Sequence, residues 1–359
     1  MNNPAQKSAT QVNPEDFTLS SEPVQAKKQE PRLMDRVRNR IRIKHYSRST
    51  EQTYVYWILQ YIFFHGKRHP QDLREKEIET FLSHLAQQRH LSASSQNQAF
   101  CAILFLYREI LDIKLSEQIN AVRAKTRYHL PTVLTVEEVN RVFSFMTGTP
   151  QLMAKLLYGS GLRLNECLQL RIKDVDFARK QVTIFDSKSQ RDRASMLPVT
   201  LFQALQEQIE ATHVLHDQDL KMGYGSVVLP GALHKKYPSA SQSLGWQYLF
   251  PARNLFKNPK TGARGRWHID EGVLQRSVRD AARMAGIYKH VTPHCFRHSF
   301  ATHLLEANYN IRAVQDLLGH KSVETTMTYT HLMNKGASAI VSPLDRFEAA
   351  QRPPLPATM

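Results

Sequence analysis

Cysteine is scarce in this chain: three among 359 residues, at Cys101, Cys167 and Cys295. An odd number, far apart and with no C-x-x-C pair, excludes a disulfide framework and a zinc ribbon and points to a reducing cytoplasm. Long apolar runs are missing too. The longest, Ala99 to Tyr107, falls far short of the ~20 residues a membrane span needs, and no apolar stretch of signal-peptide length opens the sequence. Acidic residues are the third shortage: 32 Asp and Glu stand against 48 Lys and Arg, giving a formal charge of +16 and a pI of about 9.8. Such an excess calls for a polyanionic partner. Its Lys and Arg are spread through the chain rather than gathered on one amphipathic basic helix, which favours nucleic acid over an anionic membrane surface.

Apolar residues at 42% and aromatics at 9% exclude a chain disordered throughout. At roughly 150 residues per domain the length suggests about two domains. Residues 1–30 are polar and rich in Pro, Ser, Gln and Asn, and predict a disordered tail. From Leu33 the pattern becomes helical: Val37 and Ile41, then Tyr54, Trp57, Ile58, Tyr61 and Ile62, recur at three- and four-residue spacing, with Ser47 or Ser49 as a cap. With further stretches near Glu75–Gln88 and Ser94–Leu111, residues 31–118 predict a four-helix N-terminal domain. Arg36, Arg40 and Lys44 on its first helix are candidate DNA contacts, while Tyr54, Tyr56 and Trp57 suit either DNA or the core.

Residues 119–134 lack periodicity and carry Arg123, Lys125 and Arg127, which reads as a basic, DNA-contacting linker. A second domain, 135–347, then opens on a capping box, Thr135 with Glu138. Within it, Gln181–Phe185 and Ala194–Val199 predict two strands around a polar turn, so the fold class is mainly α with a small antiparallel β-sheet. A helix is expected from Leu201 to about His213. The stretch from about 216 to 267 reads as irregular, helices return after Asp270, and 348–359 form a flexible tail.

Three short motifs carry the chemistry. Arg163 sits in Gly-Leu-Arg-Leu-Asn-Glu, where taken alone it reads as a surface ion pair with Glu166. His294-Cys-Phe-Arg297-His298 places His294 and Arg297 on one helical face, fit to grip a phosphate between a planar fork and a further donor. Leu318-Gly319-His320 follows, with Tyr329 nine residues later. A metal reading of His294, His298 and His303 lacks both HExxH and a nearby acidic ligand, so no metal is expected and His298 and His303 read as structural.

Taken jointly, with Lys188 in the turn between the two strands, these motifs resemble the tyrosine recombinases, the phage integrase family. The resemblance implies six catalytic positions: Arg163, Lys188, His294, Arg297, His320 and Tyr329. The phrases RIRIKHYSRSTEQTYVYWI, LYGSGLRLNECLQLRIKDVDF, VTPHCFRHSFATHLLE, VQDLLGHKSVETTMTYTHL and VSPLDRF, with an insertion at about 214–268 containing LPGALHKKYPSASQSLGWQYLF, are similar to integron integrases from Leu33 to Phe347. Two departures stand out: Ser187-Lys188-Ser189 where the family often has Gly-Lys-Gly, and Trp267-His268 where relatives often have two adjacent His.

By that resemblance the chain is a cytoplasmic, nucleoid-associated bacterial enzyme, type IB topoisomerase-like and independent of metal, ATP and cofactor. Tyr329 would attack DNA to form a 3′-phosphotyrosine while Arg163, Arg297, His294 and His320 hold the phosphate. Lys188 would protonate the leaving 5′ hydroxyl, His294 would assist proton removal from Tyr329, and Glu166 would orient Arg163. Two domains are expected to form a C-shaped clamp, and four protomers to assemble on two sites. The implied partners are attI and attC sites, including folded single-stranded attC hairpins whose unpaired bases stack on Trp246, Tyr248, Pro259, Trp267 and His268. Packing of Trp246 and Tyr248 in a local core is the alternative. Ala337–Val341 suits either a neighbouring protomer or an intramolecular cap. Two rival functions are a DNA-binding protein without turnover and a metal-dependent nuclease.

Overall fold

A computed structural model describes residues 31–115, 131–185, 192–231, 233–257, 262, 264–320 and 322–330. The chain divides into two compact units, Met1–Arg127 and Tyr128–Met359. The candidates Arg123, Lys125, Arg127, Lys188 and Pro259, and the segment Ala337–Val341, lie outside the described residues.

In the first unit α1 (Leu33–Ile43), α2 (Arg48–Phe64), α3 (Glu75–Gln87) and α4 (Ala93–Phe105) pack around Val37, Ile41, Ile58, Tyr61, Phe81 and Ile103. Ser47 caps α2 by accepting the Thr50 N–H at 3.2 Å. Trp57 belongs to this core, whereas Tyr56, one residue away, points outward. Two buried phenols need partners and find each other: Tyr61 and Tyr107 share a 3.0 Å hydrogen bond, and the Tyr107 hydroxyl lies 2.9 Å from the Pro70 carbonyl. Arg36, Arg40 and Lys44 are already engaged within the unit. Arg36 donates to the Ile110 carbonyl at 2.6 Å, and Arg40 and Lys44 both pair with Glu109. A DNA phosphate would compete with those partners.

The second unit begins with α5 (Val136–Ser144), whose capping box forms as its sequence predicts: Thr135 Oγ1 accepts the Glu138 N–H and Glu138 accepts the Thr135 N–H. Then come α6 (Gly148–Ser160), α7 (Leu164–Gln169), and an antiparallel sheet of β1 (Val175–Asp176), β2 (Gln181–Ile184) and β3 (Arg193–Met196) in that order. The later elements are α8 (Phe202–Lys221), α9 (Leu233–Lys236), β4 (Pro251–Lys257), β5 (Arg264–His268), α10 (Glu271–Met284), α11 (Pro293–Glu306), α12 (Ile311–Leu318) and α13 (Val323–Met327). Phe143 stacks on Phe296 at 5.3 Å, locking α5 to α11 over the main core. Among the described residues no helix is long and apolar enough to cross a membrane.

The stretch read as irregular is more ordered than expected. Helix α8 continues to Lys221, and β4 and β5 form a second antiparallel sheet with a bulge between Pro251 and Leu255. Helical periodicity was hidden because the buried face of α8 turns polar after Leu205. Thr212 bonds the Leu249 carbonyl, His216 bonds the Gln242 carbonyl at 2.8 Å, and Asp219 takes the Arg266 fork. Each buried polar group meets a backbone or charged partner from the insertion, which offsets its desolvation. Arg171 anchors the other side. Its guanidinium donates to the Trp246 and Val228 carbonyls and lies 4.5 Å over the Tyr248 ring. Tyr248 is therefore 4% exposed and packs in the local core, which corrects its reading as a stacking platform for a base.

Helix α6 ends at Gly161 with φ +63°, and a Cβ there would meet Phe300 Cε1 at 2.4 Å. Gly223 shares the positive φ, at +79°, with open space around it. Gly161→Ala is expected to lower unfolding stability by about 2–4 kcal/mol, the left-handed strain plus overpacking, against about 1 kcal/mol for Gly223→Ala, as read from urea denaturation. Equal losses would show that Phe300 moves aside freely.

Candidate active site

Arg163 holds the N-cap position of α7. Its N–H donates to Glu166 Oε2 at 2.7 Å and its Nη1 to Oε1 at 2.7 Å, so the i,i+3 pair is built by the helix start itself. It is no isolated surface pair. Arg193 of β3 forks onto the same carboxylate at 3.0 and 2.6 Å, and Arg297 of α11 stands 3.8 Å from Oε2. Burial alone would raise the Glu166 carboxyl; the hydrogen bonds and charges of Arg193 and Arg163 overcome it and hold the group below its ordinary value. Three guanidiniums around one carboxylate leave a local charge of about +2, the requirement for an anion site.

Arg297 is buried and tied to backbone on two sides. Its Nη1 donates to the Gly161 carbonyl, and its Nη2 to the Leu318 carbonyl at 2.6 Å and to His320 Nε2 at 3.2 Å. Because that Nε2 accepts, the His320 proton sits on Nδ1 and goes to Thr326 Oγ1 at 2.9 Å, a tautomer fixed by the network. Desolvation, then Arg297, Arg163 and Arg193, push His320 down to about 4. Arg297 itself is lowered to about 10, first by burial and then by Arg163. An anion bound between these groups would reverse both shifts. His294 is exposed in the first turn of α11 and is lowered by desolvation and by the adjacent Arg297 and Arg163 charges.

Tyr329 follows α13 and is 4% exposed, packed with Phe300, Leu305, Val314 and Leu318. Its ring lies nearly parallel to that of His320, 17° apart at 6.0 Å, and its hydroxyl is 3.1 Å from His298 Nδ1. The contact with His298 was not foreseen. The sequence reading assigned proton removal to His294 and gave His298 a structural role, yet His298 is the imidazole in hydrogen-bond reach of the Tyr329 hydroxyl. Desolvation, His294 and Arg297 lower His298 to about 4, so it is neutral at pH 7. His303 bonds the Tyr158 hydroxyl at 2.8 Å, as a structural histidine does. Among the described residues no group of three or more His, Cys, Asp or Glu side chains is arranged to hold a metal ion.

The structure thus gathers Arg163, Arg297, His320 and Tyr329 around Glu166, with His294 at their edge. Arg193 was missed by motif reading, although a signal existed: it shares the inward face of β3 with buried Ser195, and an inward arginine on a strand requires a carboxylate. In the insertion Trp246 is half-buried beside an open pocket of about 620 Å³ lined by Tyr237, Ser239, Ala240, Gln242 and Ser243. Lys173, also unanticipated, sits 4.4 Å from the Trp246 ring and 4.2 Å from that of Phe185. Trp267 and His268 are half-buried and in mutual ring contact at 5.1 Å, and His268 is lowered chiefly by desolvation.

The depressed histidines set a pH window. His298 and His320 bind protons near 4 when folded against an ordinary 6.5, so between those values the unfolded chain holds more protons. Stability is expected to fall as pH drops from about 6.5 towards about 4, with further loss as Glu166 is protonated below that. Urea midpoints across this range test it. His298→Gln, which cannot protonate, is expected to flatten part of the slope; an unchanged slope would refute its share.

Residues 132–335 match the phage integrase family, and residues 33–117 match the phage integrase N-terminal SAM-like domain. An integrase/recombinase of Escherichia coli is 44% identical over 316 residues, covering 88% of this chain and 93% of that protein. A tyrosine recombinase of Pseudothermotoga lettingae is 29% identical over 270 residues, 74% of this chain and 80% of the relative. Among solved structures, a lambda integrase dimer bound to a COC′ core site superposes with a TM-score of 0.55 at 18% identity, covering 83% of this chain and 93% of that one. XerH site-specific recombinase bound to difH substrate gives 0.54 at 22% identity, covering 81% and 79%. These two show a shared fold. The match over 132–335 and the 44% identity across 88% of the sequence establish that the chain belongs to the phage integrase family of recombinases.

Proposed function

We propose that this recombinase is an integron integrase, which cuts and rejoins DNA at attI and attC sites through a covalent 3′-phosphotyrosine and thereby inserts and excises gene cassettes. The observation that carries the chemistry is the set of guanidiniums of Arg163 and Arg297 held beside His320 and Tyr329. Cleavage passes through a pentacoordinate phosphorus whose non-bridging oxygens gain negative charge, and fixed cationic donors stabilise that state more than the ground state. Arg163 and Arg297 supply them, with His294 and His320 as further donors once the phosphate has raised their proton affinity. The Tyr329 oxygen forms the new bond to phosphorus and the 5′ oxygen leaves, taking a proton from Lys188. The phenolic proton passes to a neighbouring imidazole, His298 or His294. One phosphodiester replaces another, so the reaction conserves bond energy and reverses without ATP.

Tyr329 is 4% exposed, so attack on a phosphodiester requires its hydroxyl to be uncovered. Arg123, Lys125 and Arg127 contact the DNA backbone, and recombination proceeds in a tetramer on two sites. Recognition of a folded attC strand is supported by the insertion itself. Arg171, Asp219 and Arg266 brace it, and Trp246 borders an open pocket, with Trp267 and His268 as further stacking surfaces; Pro259 is a further candidate from the sequence. Stacking suits unpaired bases because every base offers a π-face.

A nicked attC-type hairpin mixed with the protein in EDTA is expected to yield a protein–DNA adduct on a denaturing gel. Tyr329→Phe is expected to bind the same hairpin and form none. Trp246→Ala is expected to weaken hairpin binding by about 5- to 150-fold, the loss of one stacked base at about 1–3 kcal/mol, while leaving a duplex site nearly unaffected. Adduct surviving in Tyr329→Phe would overturn the nucleophile assignment. Tight binding with no adduct on any site would make the chain a DNA-binding protein.

A further inference from the structure

We infer that Arg193 is a positioning residue for strand cleavage, which fixes Arg163 through Glu166 and fixes His320 through the turn that ends α12. The inference rests on the reading of Arg163 and His320 as phosphate-holding groups. Arg193 is the first residue of β3, and its side chain is 9% exposed. Its Nη1 and Nη2 donate to the two Glu166 oxygens at 3.0 and 2.6 Å, and its Nε donates to the Leu317 carbonyl at 3.0 Å. Gly319, at φ +63°, caps α12 immediately before His320. A Cβ there would stand 2.7 Å from Arg193 Cδ and 3.0 Å from Nε, so the missing side chain lets the guanidinium lie against the turn.

Glu166 has two oxygens to share. Oε1 accepts from Arg163 Nη1 and Arg193 Nη1; Oε2 accepts from the Arg163 N–H and Arg193 Nη2. Without Arg193 the carboxylate loses two of its four hydrogen bonds. It is then free to turn towards Arg163 or Arg297 and neutralise the charge meant for the phosphate. The Leu317–His320 turn loses its tie to β3 in the same step. Lysine cannot restore the arrangement, because a single ammonium does not span both carboxylate oxygens and a carbonyl in one plane. Arg193 is enclosed by these partners, whereas the Arg163 side chain is 38% exposed, which separates its role from that of Arg163.

The test compares Arg193→Gln and Arg193→Lys with Ser195→Ala, which alters the same inward face of β3 without touching Glu166, and with Arg163→Ala. Single-turnover adduct formation on the nicked hairpin and the salt dependence of binding are measured for each, with thermal unfolding as the check on folding. Both Arg193 variants are expected to cleave about 100-fold more slowly, the scale of a misplaced catalytic group, with the slope of log affinity against log salt unchanged. Arg193→Lys is expected not to rescue, and Ser195→Ala to cleave at the wild-type rate. Rescue by lysine would show that charge alone matters. A salt slope lowered by about one would show direct phosphate contact, and a rate falling equally in Ser195→Ala would show a packing effect; each overturns the inference. Normal cleavage by the Arg193 variants beside an inactive Arg163→Ala would defeat this inference alone, whereas an active Arg163→Ala would defeat the proposed function.

Discussion

Like charges resist being gathered, and a site for a phosphodiester in transition needs several cations within reach of one phosphorus. The Glu166 carboxylate resolves that conflict. It accepts the backbone N–H and one guanidinium nitrogen of Arg163 together with the fork of Arg193, and stands near Arg297, so three guanidiniums coexist in a largely buried volume while a net positive field remains. Its position follows from the first turn of a six-residue helix, where it accepts the N–H of the arginine it serves. Helices α6, α7, α11 and α12 and strand β3 all deliver a group to this point. The backbone joins in, since the carbonyls of Gly161, Leu317 and Leu318 take guanidinium protons that would otherwise lie unpaired.

That compensation is incomplete by construction. Burial, reinforced by the neighbouring guanidiniums, lowers Arg297 to about 10 and His320 to about 4, so positive charge is disfavoured here relative to water. Under the proposed function, a phosphate bound between them would offset that cost and meet groups already oriented. Burial first, and then the neighbouring charged and imidazole groups, lower His298 and His320 to about 4 and leave them neutral at physiological pH, and those two imidazoles flank Tyr329. The Tyr329 ring beside them is buried too, so one desolvated patch holds the phenol and both imidazoles.

Local signals in the sequence were readable and distant ones were not. The capping box at Thr135, the Arg163–Glu166 pair, the apolar spacing of α2 and α3, and the strand pair around the polar turn depend on residues within a few positions of one another. Their outlines were accessible to periodicity alone. Arg163, Arg297, His320 and Tyr329 were found because their order along the chain forms a motif, and the structure brings them together. Arg193 lies 27 residues beyond Glu166 and Arg171 lies 75 residues before Trp246, and neither pairing leaves a local trace. Helix α8 was cut short for a different reason. Its inner face carries Thr212, His216 and Asp219, polar residues that a hydrophobicity pattern assigns to solvent and that here satisfy the backbone and the Arg266 charge of the insertion. Tyr248 misled in the opposite sense, because an aromatic ring suits a core and a base equally well until its neighbours are known.

One device is used twice within a dozen residues. Arg163 with Glu166 and Arg171 with Asp174 each place an arginine at the start of a helical turn and a carboxylate three positions on, accepting the arginine's own N–H. The outcomes differ because the surroundings differ. Arg163 keeps a partly exposed guanidinium paired with Glu166, whereas Arg171 turns inward and is consumed by the Trp246 and Val228 carbonyls and the Tyr248 face. Between the two runs only α7, whose apolar side carries Leu164, Cys167 and Leu168 into the main core. Arg163 and the seat of the insertion at Arg171 are therefore attached to opposite ends of the same short helix.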